Sequence, residues 1–189
     1  MICDLADAIH VTTMNRLQQA LVWIGRLPYC RGFGIQSPTD YRFAVDVIGE
    51  HWPYYAYSEV GRGDSSLRRK KGRLLLRIAN HMQPAVIIDR LGYAEYLKAG
   101  CRKAKMATTL PGDNRQPVML LTPPAPDAAD TIAHCPQQSI VIVDDIGHNK
   151  HFWHNIADSA TVTVAFDLYY LGIAFIDEQR SKQHYIINF

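Results

Sequence analysis

The sequence predicts an α/β fold: a parallel sheet, shortened at one edge, that ends in an antiparallel hairpin and carries an added N-terminal helical layer. Three observations point there. Two short, mostly β-branched runs, residues 85–89 (AVIID) and 139–145 (SIVIVDD), finish in acid, as buried parallel strands do when they deliver a carboxylate to the ligand-binding edge of a sheet. Strand-like and helix-like segments then alternate between residues 85 and 158. Finally, residues 161–168 and 172–176 are two apolar runs separated by a tight turn, the pattern of an antiparallel hairpin.

In chain order, residues 5–27 place Leu5, Ala8, Ile9, Leu17, Leu21, Trp23, Ile24 and Leu27 mostly at helical spacing, so one or two amphipathic helices are expected. Residues 28–38 read as loop. Ser37 is positioned to cap a helix that opens on Pro38 and buries Tyr41, Val45 and Ile48. The aromatic stretch Tyr54-Tyr55-Ala56-Tyr57 follows Trp52-Pro53 and reads as packing that ties the N-terminal helices to the sheet. Ser65 or Ser66 caps a helix running to about Met82, which Pro84 ends. Strands are expected at 85–89, 105–110, 118–121 and 139–144, with helices at 93–103, 126–134 and 150–158 and a last strand near 184–189. Residues 1–83 thus form a helical layer and 84–189 an α/β core, together one compact unit.

At 189 residues and 48% hydrophobic, the chain supports one well-buried core. A net charge of +2, from 20 basic and 18 acidic residues, argues against a general polyanion binder. Four scattered cysteines without a Cys-x-x-Cys pair point away from zinc and disulfide frameworks and toward a reducing, cytoplasmic setting. No signal peptide or membrane span is legible.

Several local patterns recur together in one order. Gly34-Ile35-Gln36-Ser37-Pro38 precedes a helix, followed by residues 54–59 (YYAYSE) and 72–77 (GRLLLR). Asp144-Asp145-Ile146 follows a buried strand, Val162-Thr163-Val164 leads into Asp167-Leu168, and Gly172-Ile173-Ala174-Phe175 precedes Lys182-Gln183-His184. In these motifs, over about four-fifths of its length, the chain resembles the class I S-adenosylmethionine-dependent O-methyltransferases, a bacterial family of the catechol O-methyltransferase type. The resemblance implies a Rossmann-like methyltransferase sheet, with S-adenosylmethionine and Mg²⁺ as cofactors. It places Asp89 and Gly92 at the cofactor and Asp144 and Asp145 at the metal. His148, by its own titration range and not by the resemblance, is a candidate general base for a hydroxyl acceptor.

The chain departs from that pattern where the chemistry would lie. After Asp89 the family has a loop of two or three glycines that lets the backbone approach the cofactor, whereas here Gly92 stands alone among Arg90, Leu91, Tyr93 and Tyr96. Residues 105–110 run into Pro111-Gly112 with no acid before Asp113, so the expected ribose-binding carboxylate is missing. Thr122-Pro123-Pro124 replaces the acid that would complete a metal site. Between Asp89 and Val118 lie 28 positions, where the full fold needs roughly 50. A strand–helix unit is therefore absent from the cofactor half of the sheet, and whether 105–110 pairs with the first strand stays open.

Two further clusters carry charge. Asp145, His148, His151 and His154 are read mainly as a solvated helix start whose acids complement the helix dipole. Arg62, Arg68, Arg69, Lys70, Lys71, Arg73 and Arg77 are read as the solvated face of a helix whose other face is Leu67, Leu74, Leu75, Ile78 and Met82. No aromatics interleave with these cations in sequence, which argues against a nucleic-acid surface. Together these features predict a methyltransferase-like protein that has lost S-adenosylmethionine binding, with Asp144 and Asp145 still able to hold a cation such as Mg²⁺ weakly. It would act instead as a non-catalytic module binding a small molecule or a protein, without membrane attachment, and self-association into a homo-oligomer is compatible with it. The alternative is an active S-adenosylmethionine-dependent O-methyltransferase acting on a small hydroxyl compound.

Overall fold

In a computed structural model, residues 16–112 and 116–189 are described, and they build a three-layer α/β unit around a seven-stranded mixed sheet. The expectations at Leu5, Ala8, Ile9, Cys3 and Asp113 fall outside the described residues. The strands are β1 (Val86–Asp89), β2 (Lys105–Ala107), β3 (Val118–Thr122), β4 (Ser139–Asp144), β5 (Val164–Asp167), β6 (Leu171–Ile176) and β7 (Gln183–Ile186). Their order is β2-β1-β3-β4-β6-β5-β7. β2, β1, β3 and β4 are parallel, β6 is antiparallel to both β4 and β5, and β7 runs parallel to β5. The arrangement is compatible with a Rossmann-like fold.

Helix α1 (Arg16–Gly25) and a 3-10 turn (Leu27–Gly32) lead to α2 (Pro38–Arg42), whose first turn is capped by the Ser37 hydroxyl accepting from Asp40 N–H. α2 continues without a break into a π-helical turn, Phe43–Ile48, closed by Gly49 N–H donating to Ala44 C=O. That wider turn changes which side chains are buried. Phe43, Ala44, Val47 and Ile48 face the core and Tyr41 is exposed, in place of the expected Tyr41, Val45 and Ile48 face. After a 3-10 turn at Tyr55–Ser58, α3 (Ser66–Met82) starts on a Ser65 cap and ends at Gln83, which takes a left-handed conformation before Pro84. α4 (Ala94–Gly100), α5 (Pro126–Ala133) and α6 (Lys150–Asp158) are the crossovers.

Alternation along each strand sends side chains to two separate cores. Ile87, Met119, Leu121, Ile142, Phe166 and Ile173 pack under α3, α4 and the π turn, whereas Ile88, Leu120, Val141, Val143, Ala165 and Ala174 pack under α5 and α6. The helix over residues 66–82 spans the sheet beside α4, and the two approach closely at Gly100, where a Cβ would sit 2.3 Å from the Leu76 carbonyl oxygen.

Strand β2 pairs with β1 in parallel over Lys105–Ala107 only, so the open question at 105–110 is answered with a strand half the expected length. The described part of residues 108–117 holds neither helix nor strand. The hairpin is antiparallel as expected, although its first strand begins at Val164. Among the described residues, no helix is long and apolar enough to cross a membrane.

Candidate functional site

The carboxyl edge of the parallel strands brings the expected site residues into one neighbourhood but not into one cluster. Asp89 closes β1 and Asp144 closes β4, with β3 between them, so two strand spacings, about 10 Å, separate their backbones. Each carboxylate is engaged by a different part of the chain.

Asp89 is used by its own loop. Its Oδ1 accepts from Leu91 N–H and Gly92 N–H, both at 3.0 Å, which folds residues 89–92 into a tight turn. Gly92 sits at φ +74, a conformation that favours glycine. The loop is then held from both faces of the sheet. Arg68 on α3 donates through Nη2 to Gly92 C=O at 2.5 Å, and Arg90 pairs with Asp127 of α5 at 2.8 Å. Behind Gly92, Tyr93 is buried and lies under the Arg68 guanidinium, 4.4 Å from the ring centre. Burial holds the Tyr93 phenol well above its ordinary pKa, and the Asp144 carboxylate adds to the effect.

Asp144 faces the same helix. Lys71 Nζ reaches its Oδ1 at 2.5 Å, with side chains 11% and 26% exposed respectively. Arg68 and Lys71 are three residues apart and so share one face of α3. A single helical turn therefore clamps both acid-bearing strand ends. This corrects the reading of the basic run as a solvated face. Lys71 lies on the apolar stripe between Leu67 and Leu74. Arg77 is buried as well, donating to Val47 C=O at 2.7 Å, Ile48 C=O at 2.9 Å and the Tyr57 hydroxyl at 3.1 Å. Arg73 stacks 4.7 Å over the Tyr57 ring and Lys70 lies 4.4 Å over the Phe189 ring.

Asp145 turns away from Asp144 through a left-handed backbone, φ +50, fixed by its N–H donating to Tyr170 C=O. Its Oδ1 meets His148 Nδ1 at 2.6 Å, and its carbonyl accepts from Asn149 Nδ2 at 3.0 Å. The Asp145–His148 pair is about half exposed and leaves the other ring nitrogen of His148 unengaged by that bond. His151 takes a contact from Asn155, and His154 stacks edge-on with His184, whose pKa is lowered chiefly by burial. Thr122, at the end of β3, is buried and donates to Pro123 C=O at 3.1 Å. Among the described residues, no group of three or more His, Cys, Asp or Glu side chains is arranged to hold a metal ion.

Two cavities open at the opposite, amino edge of the parallel strands. One, about 240 Å³, lies among Phe43, His81, Gln138, Phe175, Asp177 and Arg180, and the other, about 160 Å³, lies among Pro84, Pro117, Val118 and Ile140. Both fall short of the roughly 300 Å³ at which cofactor-sized ligand sites begin. The first borders a buried anchor that sequence reasoning missed. Asp40, almost fully buried on α2, is paired with Arg180 and accepts from the Tyr185 hydroxyl at 3.1 Å. Comparison with known protein families, curated proteins and solved structures finds no match to this chain.

Proposed function

We propose that this chain is a methyltransferase-like α/β protein whose cofactor corner is filled by its own side chains, so that it works as a binding module rather than a catalyst. The observation that carries this reading is the clamp on α3, with Arg68 on Gly92 C=O and Lys71 on Asp144. An adenosyl group held at a sheet edge needs an open backbone after the first strand and free acceptors beside it. Here Oδ1 of Asp89 accepts from the Leu91 and Gly92 amides, Tyr93 is buried behind the turn, and Lys71 pairs with Oδ1 of Asp144. These residues do not fit S-adenosylmethionine. Nor do Asp144 and Asp145 fit a Mg²⁺ centre, since a lysine is bonded to one and a histidine to the other. The end of β2 supports the same reading, because no carboxylate stands between Ala107 and Gly112 to hold a ribose.

A second reading, an active O-methyltransferase on a small hydroxyl substrate, is favoured by one observation. Asp145 orients His148 at 2.6 Å, the arrangement of a general base and its supporting carboxylate. Thermal unfolding of the full chain with and without S-adenosylmethionine, in the presence of Mg²⁺, separates the two. A ligand at about 100 times its dissociation constant adds about 2.7 kcal/mol, several degrees for a chain of this size. The binding-module reading predicts no shift, and a rise of several degrees supports the enzyme instead.

A further inference from the structure

The N-terminal layer has its apolar surface on the wrong side. Among the described residues, every large hydrophobic side chain left exposed, apart from Ile186, lies between residues 17 and 55, and α5 and α6 leave none. Seven of them fall between 17 and 33. On α1, Leu17, Leu21 and Ile24 recur at i, i+4 and i+7 and so form one stripe, and all three are exposed. The half-buried positions on α1, Gln19 and Val22, lie on the opposite side of the helix from the stripe. A surface helix of a folded domain normally shows its stripe to the core; α1 does the reverse.

The helix is nevertheless fixed in place, and by polar bonds. Arg26 pairs with Asp167 at 2.6 Å and donates to Asp167 C=O at 2.9 Å and Ile187 C=O at 3.2 Å. Asn188 donates through Nδ2 to Trp23 C=O at 3.1 Å and through its N–H to Tyr29 C=O at 3.0 Å. These contacts hold the outward stripe in a defined orientation without covering it.

We propose that a second copy of this chain covers this stripe, the α1 helices of two protomers packing against each other across a two-fold axis. Two observations select that occupant. The first is area. The seven exposures between residues 17 and 33 amount to about four whole residues, roughly 700 Å², close to the share each partner gives to an interface of standard size, and the stripe of Leu17, Leu21 and Ile24 supplies a little under half of it. The second is charge. Residues 17–25 contain no Lys, Arg, Asp or Glu, so the stripe offers no cation to an anionic lipid surface and no charge pattern to a foreign partner. An uncharged leucine stripe is complementary to its own copy, which a two-fold interface requires. The dimer does not depend on whether the cofactor corner is filled.

Sedimentation equilibrium of the full chain over a micromolar concentration series tests this. The expected mass is twice the 21.4 kDa of one chain. Leu21→Glu, present twice in a two-fold interface, is expected to weaken the dimer about 100-fold or more with its far-UV circular dichroism unchanged, and Leu17→Glu is expected to do the same. Mixing the Leu21→Glu and Leu21→Lys variants should restore a dimer, since residue 21 sits mid-stripe and opposite charges then face each other. Tyr55→Glu, at a fully exposed position away from α1, should stay dimeric. A wild-type chain that remains monomeric throughout the series, folded Glu variants that still dimerise, or a monomer that sediments with anionic lipid vesicles would each overturn the proposal.

Discussion

Replacing Lys71 with Met leaves Asp144 facing α3 without its cation, and the size of the loss follows from how covered the pair is. Nζ and Oδ1 are 2.5 Å apart, with side chains 11% and 26% exposed. A fully exposed pair is worth about 0–1 kcal/mol, and stranding one charge of a fully buried pair costs about 3–5 kcal/mol. The lysine end is nearly closed off and the aspartate end keeps some solvent, so the loss for Lys71→Met is about 2 kcal/mol. The methionine itself suits the position, which lies on the apolar stripe of α3. At roughly 2–4 °C per kcal/mol for a chain of this length, the melting temperature should fall by about 4–8 °C. The diagnostic quantity is the coupling. In a urea-unfolding cycle of Lys71→Met, Asp144→Asn and the double variant, the double variant should be less destabilised than the two singles added, by about 1–2 kcal/mol. Strict additivity, within about 0.3 kcal/mol, would mean that the pair does not form in solution and that the clamp over the strand ends is wrong.

Gly100→Ala should cost more than about 2 kcal/mol in urea unfolding, because its Cβ would lie 2.3 Å from backbone oxygen at Leu76 and α3 and α4 cannot close on it. Arg77→Ala should cost about 3 kcal/mol, since two buried carbonyls, at Val47 and Ile48, lose their donor; Arg77→Lys should not recover the loss, because an ammonium has no planar fork to reach both. Tyr96 is buried with its hydroxyl donating to Asp64 at 2.8 Å, and burial followed by that bond raises its pKa to about 12. Because the folded value lies above the unfolded value of about 10, the contribution is complete below pH 10 and is lost as pH rises toward 12. Tyr96→Phe should therefore show a shallower loss of stability between pH 9 and pH 11 than the parent chain, measured by urea unfolding at each pH.

Strand and helix positions are legible in the sequence where the apolar pattern is clear, a continuous run for a strand buried on both faces and a one-sided stripe for a helix. Residues 139–144 and 150–158 form the strand and helix their patterns predict, and the helix of 66–82 starts and stops at its serine cap and at Pro84. The π turn at Phe43–Ile48 was not legible, because one extra residue per turn shifts the buried face without altering composition. The short β2 was overestimated, since edge residues such as Thr108 and Thr109 have strand-like chemistry but no second neighbour to pair with. At the site, both acids at strand ends were visible, but what engages them was not. Lys71 reads as solvated with its charged neighbours, although its spacing from Leu67 and Leu74 marks it as part of the buried stripe. Asp40 and Arg180 lie 140 positions apart, and local pattern carries no trace of their pairing.

Isothermal titration of the whole chain with S-adenosylmethionine tests most directly whether the strand-end acids are already occupied. No saturable heat is expected at ligand concentrations up to about 1 mM, because Arg68, Lys71 and Tyr93 already hold the strand ends. Stoichiometric binding with a micromolar dissociation constant would contradict that occupancy.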